Sequence, residues 1–158
     1  DASTADFVTG MNPDKRLFVA KFNEPTFVNQ RLIAFKLVDR SVDADLLHAL
    51  LNSILSMFYI EAIGFGRGLG ALDINASNIR NMMMLNPALL SEEDKRKIKD
   101  AFVPLKSRNV LSTAEELEQS DRMYFDRTVV RAFGIEKHYE AIREALLSMQ
   151  QVRHTAGE

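Results

Sequence analysis

Four of the chain's seven glycines fall within seven residues, GFGRGLG at positions 64–70, and their flanks limit what the chain can become. Before them runs DADLLHALLNSILSMFYIEAIG, where Leu47, Leu51, Ile54, Phe58 and Ala62 recur at helical spacing and Leu46, Leu50 and Met57 widen the stripe. Asp43 and Asp45 suit the positive start of such a helix, and Gly64 is expected to end it as a left-handed cap. After the glycines, ALDIN at 71–75 alternates like a short strand. A long apolar stripe that feeds a strand must be buried against a sheet or against further helices.

The rest of the chain supplies both. RLFVAKF at 16–22 and FVNQRLIAFKLV at 27–38 read as strands, separated by a turn at Asn23-Glu24-Pro25. The second has apolar residues on both faces of its later half, which predicts a central position. Residues 1–14 read as a loose leader or linker ending at Asn12-Pro13. Residues 76–85 have no clear period, and Asn86-Pro87 closes the unit. Beyond it, SEED at 91–94 and STAE at 112–115 are capping signatures. They predict helices near 91–102, 113–132 and 135–153, the last with a seam of Tyr139, Ile142, Leu146 and Met149. The expected class is α+β: a small mixed sheet with one long helix over 15–87, then an all-helical part over 88–158.

Composition narrows the function classes. The 158 residues are 46% hydrophobic and 27% charged, ordinary globular usage, with a net charge of −2. A nucleic-acid surface must therefore be local. Cysteine is absent, which excludes disulfides and thiolate chemistry and fits a cytoplasmic location. His48, His138 and His154 lack metal-type spacing, so no metal site is expected. No run reaches the ~18–20 apolar residues of a membrane span, so no membrane partner is expected. The missing initiating methionine is expected of a piece of a longer protein.

Residues 66–71 match G-x-G-x-x-G/A in letters. That fingerprint, however, needs a strand before it and a helix after it, so that a helix N-terminus faces the pyrophosphate. Here the order is reversed, and no Gly-Lys-Ser/Thr occurs for a Walker loop. Two readings stay open: a flexible link, or bare backbone that approaches a phosphate with Arg67 beside it. Six basic residues against two acidic ones between Lys15 and Arg40, among them Lys21 and Arg31, provide a local excess of +4. Asn75, Ser77, Asn78, Arg80 and Asn81 bring the side-chain types that read adenine and guanine edges. Both features are equally compatible with solvated strand faces and an ordinary helix cap. The Met82-Met83-Met84 run reads as core filler, Glu92 to Lys97 as an exposed helix face with ion pairs, and Glu61 as the partner of an arginine rather than a catalytic acid.

ALLNSILSMFYIEAIGFGRGLGALDIN, with its LLNS-type helix, glycine loop and short strand, resembles the target-recognition region of γ-type N6-adenine DNA methyltransferases. The Eco57I-like and TaqI-like restriction–modification enzymes are the nearest groups. DRMYFDRTVVRAFGI and YEAIREALLSMQQVR are similar to the tail of the same proteins, with Phe125 where leucine is usual. The resemblance spans about residues 16–154. The catalytic NPPY-type tetrapeptide and the glycine-rich loop for S-adenosylmethionine are absent from this sequence.

The resemblance thus implies a DNA-binding recognition fragment that is not itself an enzyme and holds no cofactor. Its implied partners are double-stranded DNA and the catalytic domain of the same parent chain, and S-adenosylmethionine would belong to that parent. In such enzymes recognition and catalytic domains clamp the duplex while the target base is flipped. By that analogy Gly66, Arg67 and Gly68 contact phosphate, and Lys21, Arg31, Asn75, Asn78 and Arg80 join them on chemical grounds. The alternative is an interaction module that docks through its helical half.

Overall fold

A computed structural model describes residues 4–66 and 70–155. The fold is α+β, small sheets followed by a helical C-terminal region. Strand β1 (Thr4–Gly10) is the middle of a three-stranded antiparallel sheet, with β2 (Ala20–Phe27) and β3 (Leu32–Phe35) on its two sides. This corrects the reading of residues 1–14 as a loose leader. Ala5, Phe7, Val8 and Thr9 are all buried, and a strand flanked on both sides needs few large side chains to hold its place. Strand β3 lies at an edge, not in the centre. In β2 the register jumps from Ala5↔Thr26 to Phe7↔Lys21, so the Asn23-Glu24-Pro25 turn signal becomes a bulge within the strand. Pro25, with no N–H, is tolerated there.

Helices α1 (Ala44–Leu51) and α2 (Ile54–Ile63) occupy the span read as one helix and are bent 57° apart. No single helix among the described residues is long and apolar enough to cross a membrane, although this bent pair together has the length and composition. The bend has named causes. Asn52 leaves the helical path, and its amide Nδ2 donates to the Val19 carbonyl (2.8 Å) while its Oδ1 accepts from Val19 N–H (3.0 Å). The side chain thereby replaces a neighbouring strand for Val19. Ser53 then caps α2, its Oγ accepting from Ser56 N–H.

A two-stranded ladder, β4 (Phe65–Gly66) and β5 (Leu72–Asp73), follows, and then the single turn α3 (Ala76–Arg80). Helix α4 (Glu92–Lys106) starts at Ser91 and α5 (Thr113–Glu116) at Ser112, the second with a full capping box. The span expected as one helix over 113–132 is divided at residues 117–119, where α6 (Ser120–Ala132) begins. Gly134, at φ 70°, ends α6, with Ile135 N–H returning to Val130 O (2.8 Å) and Gly134 N–H to Arg131 O (2.9 Å). A 3-10 turn leads into α7 (Tyr139–Thr155).

Helix α7 packs along α2, and α4 packs against both α1 and α6. One core cluster joins Leu17, Ile33, Ile54 and Leu72 to Leu117, Val130, Tyr139 and Leu146, so residues before and after Pro87 are buried together. Met82 enters this cluster, whereas Met83 and Met84 are exposed.

Candidate nucleic-acid interface

The glycine hairpin is tied to the main sheet through the segment that follows β1. Ile74 N–H donates to Met11 O (2.9 Å) and Leu72 N–H to Pro13 O (3.0 Å). On its other side Met11 N–H donates to Arg31 O (3.2 Å). Met11 thus links the Arg31 backbone, through its N–H, to that of Ile74, the neighbour of Asn75, through its carbonyl. Asn12 Nδ2 also reaches Asp73 Oδ1 (3.2 Å), a polar link that residue-type reasoning does not single out.

Asn75 caps α3 by accepting from Asn78 N–H (2.9 Å). Among the described residues its amide nitrogen has no hydrogen-bond partner, nor has the half-buried Asn78 side chain. Arg31 and Arg80 are exposed and make no ion pair among the described residues. Gly66 is exposed at the hairpin, next to Phe65 at 74% exposure. Arg67 and Gly68 lie outside the described residues. Lys21 is not part of this group. It pairs with Phe7 in the middle of β1, and its Nζ is 3.1 Å from Asp45 on α1. Helix packing claims it, which a count of basic residues along the chain cannot reveal.

The hairpin's feet are held from below. Gly64 has extended dihedrals (φ −74°, ψ 160°), so it is not the left-handed cap expected, and a Cβ there would come within 2.5 Å of Leu72 Cδ1. The positive φ falls at Gly70 (77°), which is buried, and a Cβ there would collide with the His154 ring. Arg153, near the end of α7, donates to the Gly70 carbonyl and to Asp14 O (2.9 Å). Its Nε lies 2.6 Å from Glu61 Oε1. Glu61 has the arginine partner expected of it. The ion-paired face expected on α4 is present too, as Lys95–Glu92 (2.7 Å) and Lys97–Glu93 (2.6 Å).

A second buried pair locks the LLNS segment to the tail. Arg122 Nε donates to Asp126 Oδ2 (2.7 Å), and its Nη2 donates to Asn52 O (2.6 Å) at the carbonyl end of α1. Asp126 Oδ1 accepts from Ile54 N–H (2.8 Å) at the start of α2. Each charge thus faces the helix end of opposite polarity. Burial pushes the Asp126 carboxyl up, with Arg122 and the Ile54 amide acting against it. Burial likewise lowers the His48 imidazole and raises the Tyr139 phenol to about 12. No match to this chain was found among family models, curated proteins or solved structures.

Proposed function

We propose that this chain is the DNA target-recognition part of an N6-adenine DNA methyltransferase of the γ type. The observation that carries the reading is the mutual contact of the stretches on which the resemblance rests. The LLNS turn is held by Arg122 and Asp126 of the DR…FDR stretch. The glycine hairpin is held by Arg153 of the final helix. Sequence pieces far apart in the chain thus act as one unit whose product is a braced hairpin that runs into Asn75, Asn78 and Arg80 and is linked to the Arg31 backbone through Met11.

Gly66, Arg67 and Gly68 are proposed as phosphate contacts, and Asn75, Asn78, Arg31 and Arg80 as the neighbouring polar surface. S-adenosylmethionine is assigned to the parent's catalytic domain. The glycine loop here precedes a strand, and the adjoining strand-to-helix turn is capped by Asn75 without a glycine cradle. The test is fluorescence anisotropy on a labelled duplex over a salt series. Binding that weakens with salt, and an Arg67→Ala variant whose slope falls by about 0.9, are expected. No binding at the lowest salt would count against the reading.

A second reading has its own observation. Phe58, Ile135 and Ile142 line one open apolar groove, and Leu55, Tyr59, Met83 and Ile135 line another that shares Ile135. Such a surface suits docking against a partner domain. In that case Arg67→Ala changes nothing, and substitutions at Ile135 or Ile142 disrupt the partnership.

A further inference from the structure

The three hydrophobic clusters meet without merging where residues 17–21 pass α1, the end of α4 and the start of α6. Phe102 belongs to one cluster, Leu17 and Met57 to another, and Val19 to the third. A cavity of about 350 Å³ remains between them. That is within the range of small-molecule sites, roughly 300–1,000 Å³.

The polar groups at this cavity carry a directional bias. Arg122 lines it and is only 2% exposed. Its Nε and Nη2 are bonded to Asp126, Asn52 O and Met57 Sδ, but Nη1 has no hydrogen-bond partner among the described residues. Lys106, also lining, is exposed and makes no ion pair among the described residues. The other two lining cations are engaged, Lys21 by Asp45, and Arg108 by Glu116 and Asp121. The lining carboxylate, Glu116, is consumed by Arg108 and by Leu111 N–H (2.9 Å). Two uncommitted cationic donors, Arg122 Nη1 and Lys106 Nζ, thus share the lining with Leu17, Met57, Phe102 and Val110. Arg122 Nη1 is not among the sealed, unpartnered side-chain atoms, so an anionic acceptor entering the cavity can take a charge-assisted bond from it.

We propose that this cavity binds a small amphipathic carboxylate, its apolar body among Leu17, Met57, Phe102 and Val110 and its head toward Arg122 and Lys106. The site is separate from the glycine hairpin and does not rest on the DNA reading.

The test is a titration of the isotope-labelled chain with octanoate below its micellar concentration, and in parallel with octanol. Saturable shifts of the Val19, Ala20, Asn52 and Val110 amides are expected with octanoate, and weak ones with octanol. Lys106→Glu changes an exposed position and weakens octanoate about fivefold, the upper range of one exposed charge contact, without affecting octanol. Val110→Trp fills the mouth and removes binding of both. Absence of saturable octanoate shifts, equal response to octanol, or unchanged octanoate affinity in Lys106→Glu would each overturn the assignment.

Discussion

Arg153 clasps Glu61 with two hydrogen bonds, Nε to Oε1 at 2.6 Å and Nη2 to Oε2 at 3.0 Å, and both side chains are almost wholly buried. Gln150 adds a third donor to the carboxylate at 3.4 Å. The same guanidinium also holds Gly70 O and Asp14 O, so one residue joins α7, α2, the hairpin foot and the segment after β1. Removing Arg153 leaves an uncompensated buried carboxylate. Arg153→Ala is expected to cost about 3–5 kcal/mol in urea unfolding. Glu61→Gln, which keeps an acceptor, is expected to lose less. Amide exchange in both variants should quicken first at residues 70–74.

The Arg122–Asp126 pair yields a different expectation, because two helix termini depend on it. Asp126→Asn removes the charge at the start of α2 and leaves Arg122 buried without its counterion, a loss of about 3 kcal/mol or more. The double variant Arg122→Met with Asp126→Leu should recover part of that loss by removing both charges, although Ile54 N–H and Asn52 O lose their partners. Denaturant midpoints of wild type and the two variants measure the recovery.

These pairs also show what a linear reading can recover. Ser91 and Ser112 announce their helices because a cap is a local device, and Glu61 announces a cationic partner because a carboxylate in an apolar stripe requires one. The break at Asn52 and Ser53 is not legible, since Leu51 and Ile54 continue the stripe and the cause is Val19 and Asp126, distant in sequence. Strand β1 escapes notice because Ala5 and Thr9 are small and are buried only through β2 and β3. At the candidate interface, residue chemistry selects Arg31 and Asn75 separately. The link between their segments runs through backbone hydrogen bonds of Met11, which have no side-chain signature.

Glycine at position 70 is required twice, by its positive φ and by the His154 ring. Gly134 shares the positive φ, but a Cβ there meets nothing. Gly134→Ala should therefore cost only the left-handed penalty, about 1–2 kcal/mol. Gly70→Ala should cost more, and adding His154→Ala should bring it down toward the Gly134→Ala value. Thermal melts of the four proteins decide this. Equal losses at the two glycines would contradict the close approach.

Stability should fall in acid through the Arg108 cluster. Burial acts to raise the Glu116 carboxyl, but the Arg108 guanidinium and Leu111 N–H outweigh it, and the group lies below its ordinary 4.5. The Arg108 hydrogen bond also holds Asp121 below its ordinary 3.8. Carboxylates lowered on folding contribute stability that is fully present above their unfolded values and is lost as pH drops through the folded ones. The stability difference between wild type and Arg108→Met should thus be constant above pH ~5.5 and shrink steadily below pH ~4.5. A difference that persists unchanged in acid would remove these carboxylates from the account.

If the hairpin end of the sheet meets DNA, the basic residues should separate into two groups by salt dependence. Arg31 and Arg80 are exposed and lack ion pairs among the described residues; Arg80 ends α3, and Arg31 O accepts from Met11 N–H. Lys21 is bound to Asp45 and sits opposite Phe7, four residues back along β1 from Met11, or ~13 Å at the strand rise. Arg31→Ala and Arg80→Ala should each lower the slope of log K against log salt by about 0.9, the release of one phosphate's counterion. Lys21→Ala should leave the slope unchanged, since its charge is already balanced. Asn75→Asp and Asn78→Asp add charge at the β5–α3 corner and should weaken binding more at low salt than at high salt, because screening removes the repulsion. Three slopes that fall together, Lys21 included, would move the contact surface to the middle of the sheet. Three that stay constant would leave the glycine hairpin as a link between helix and strand.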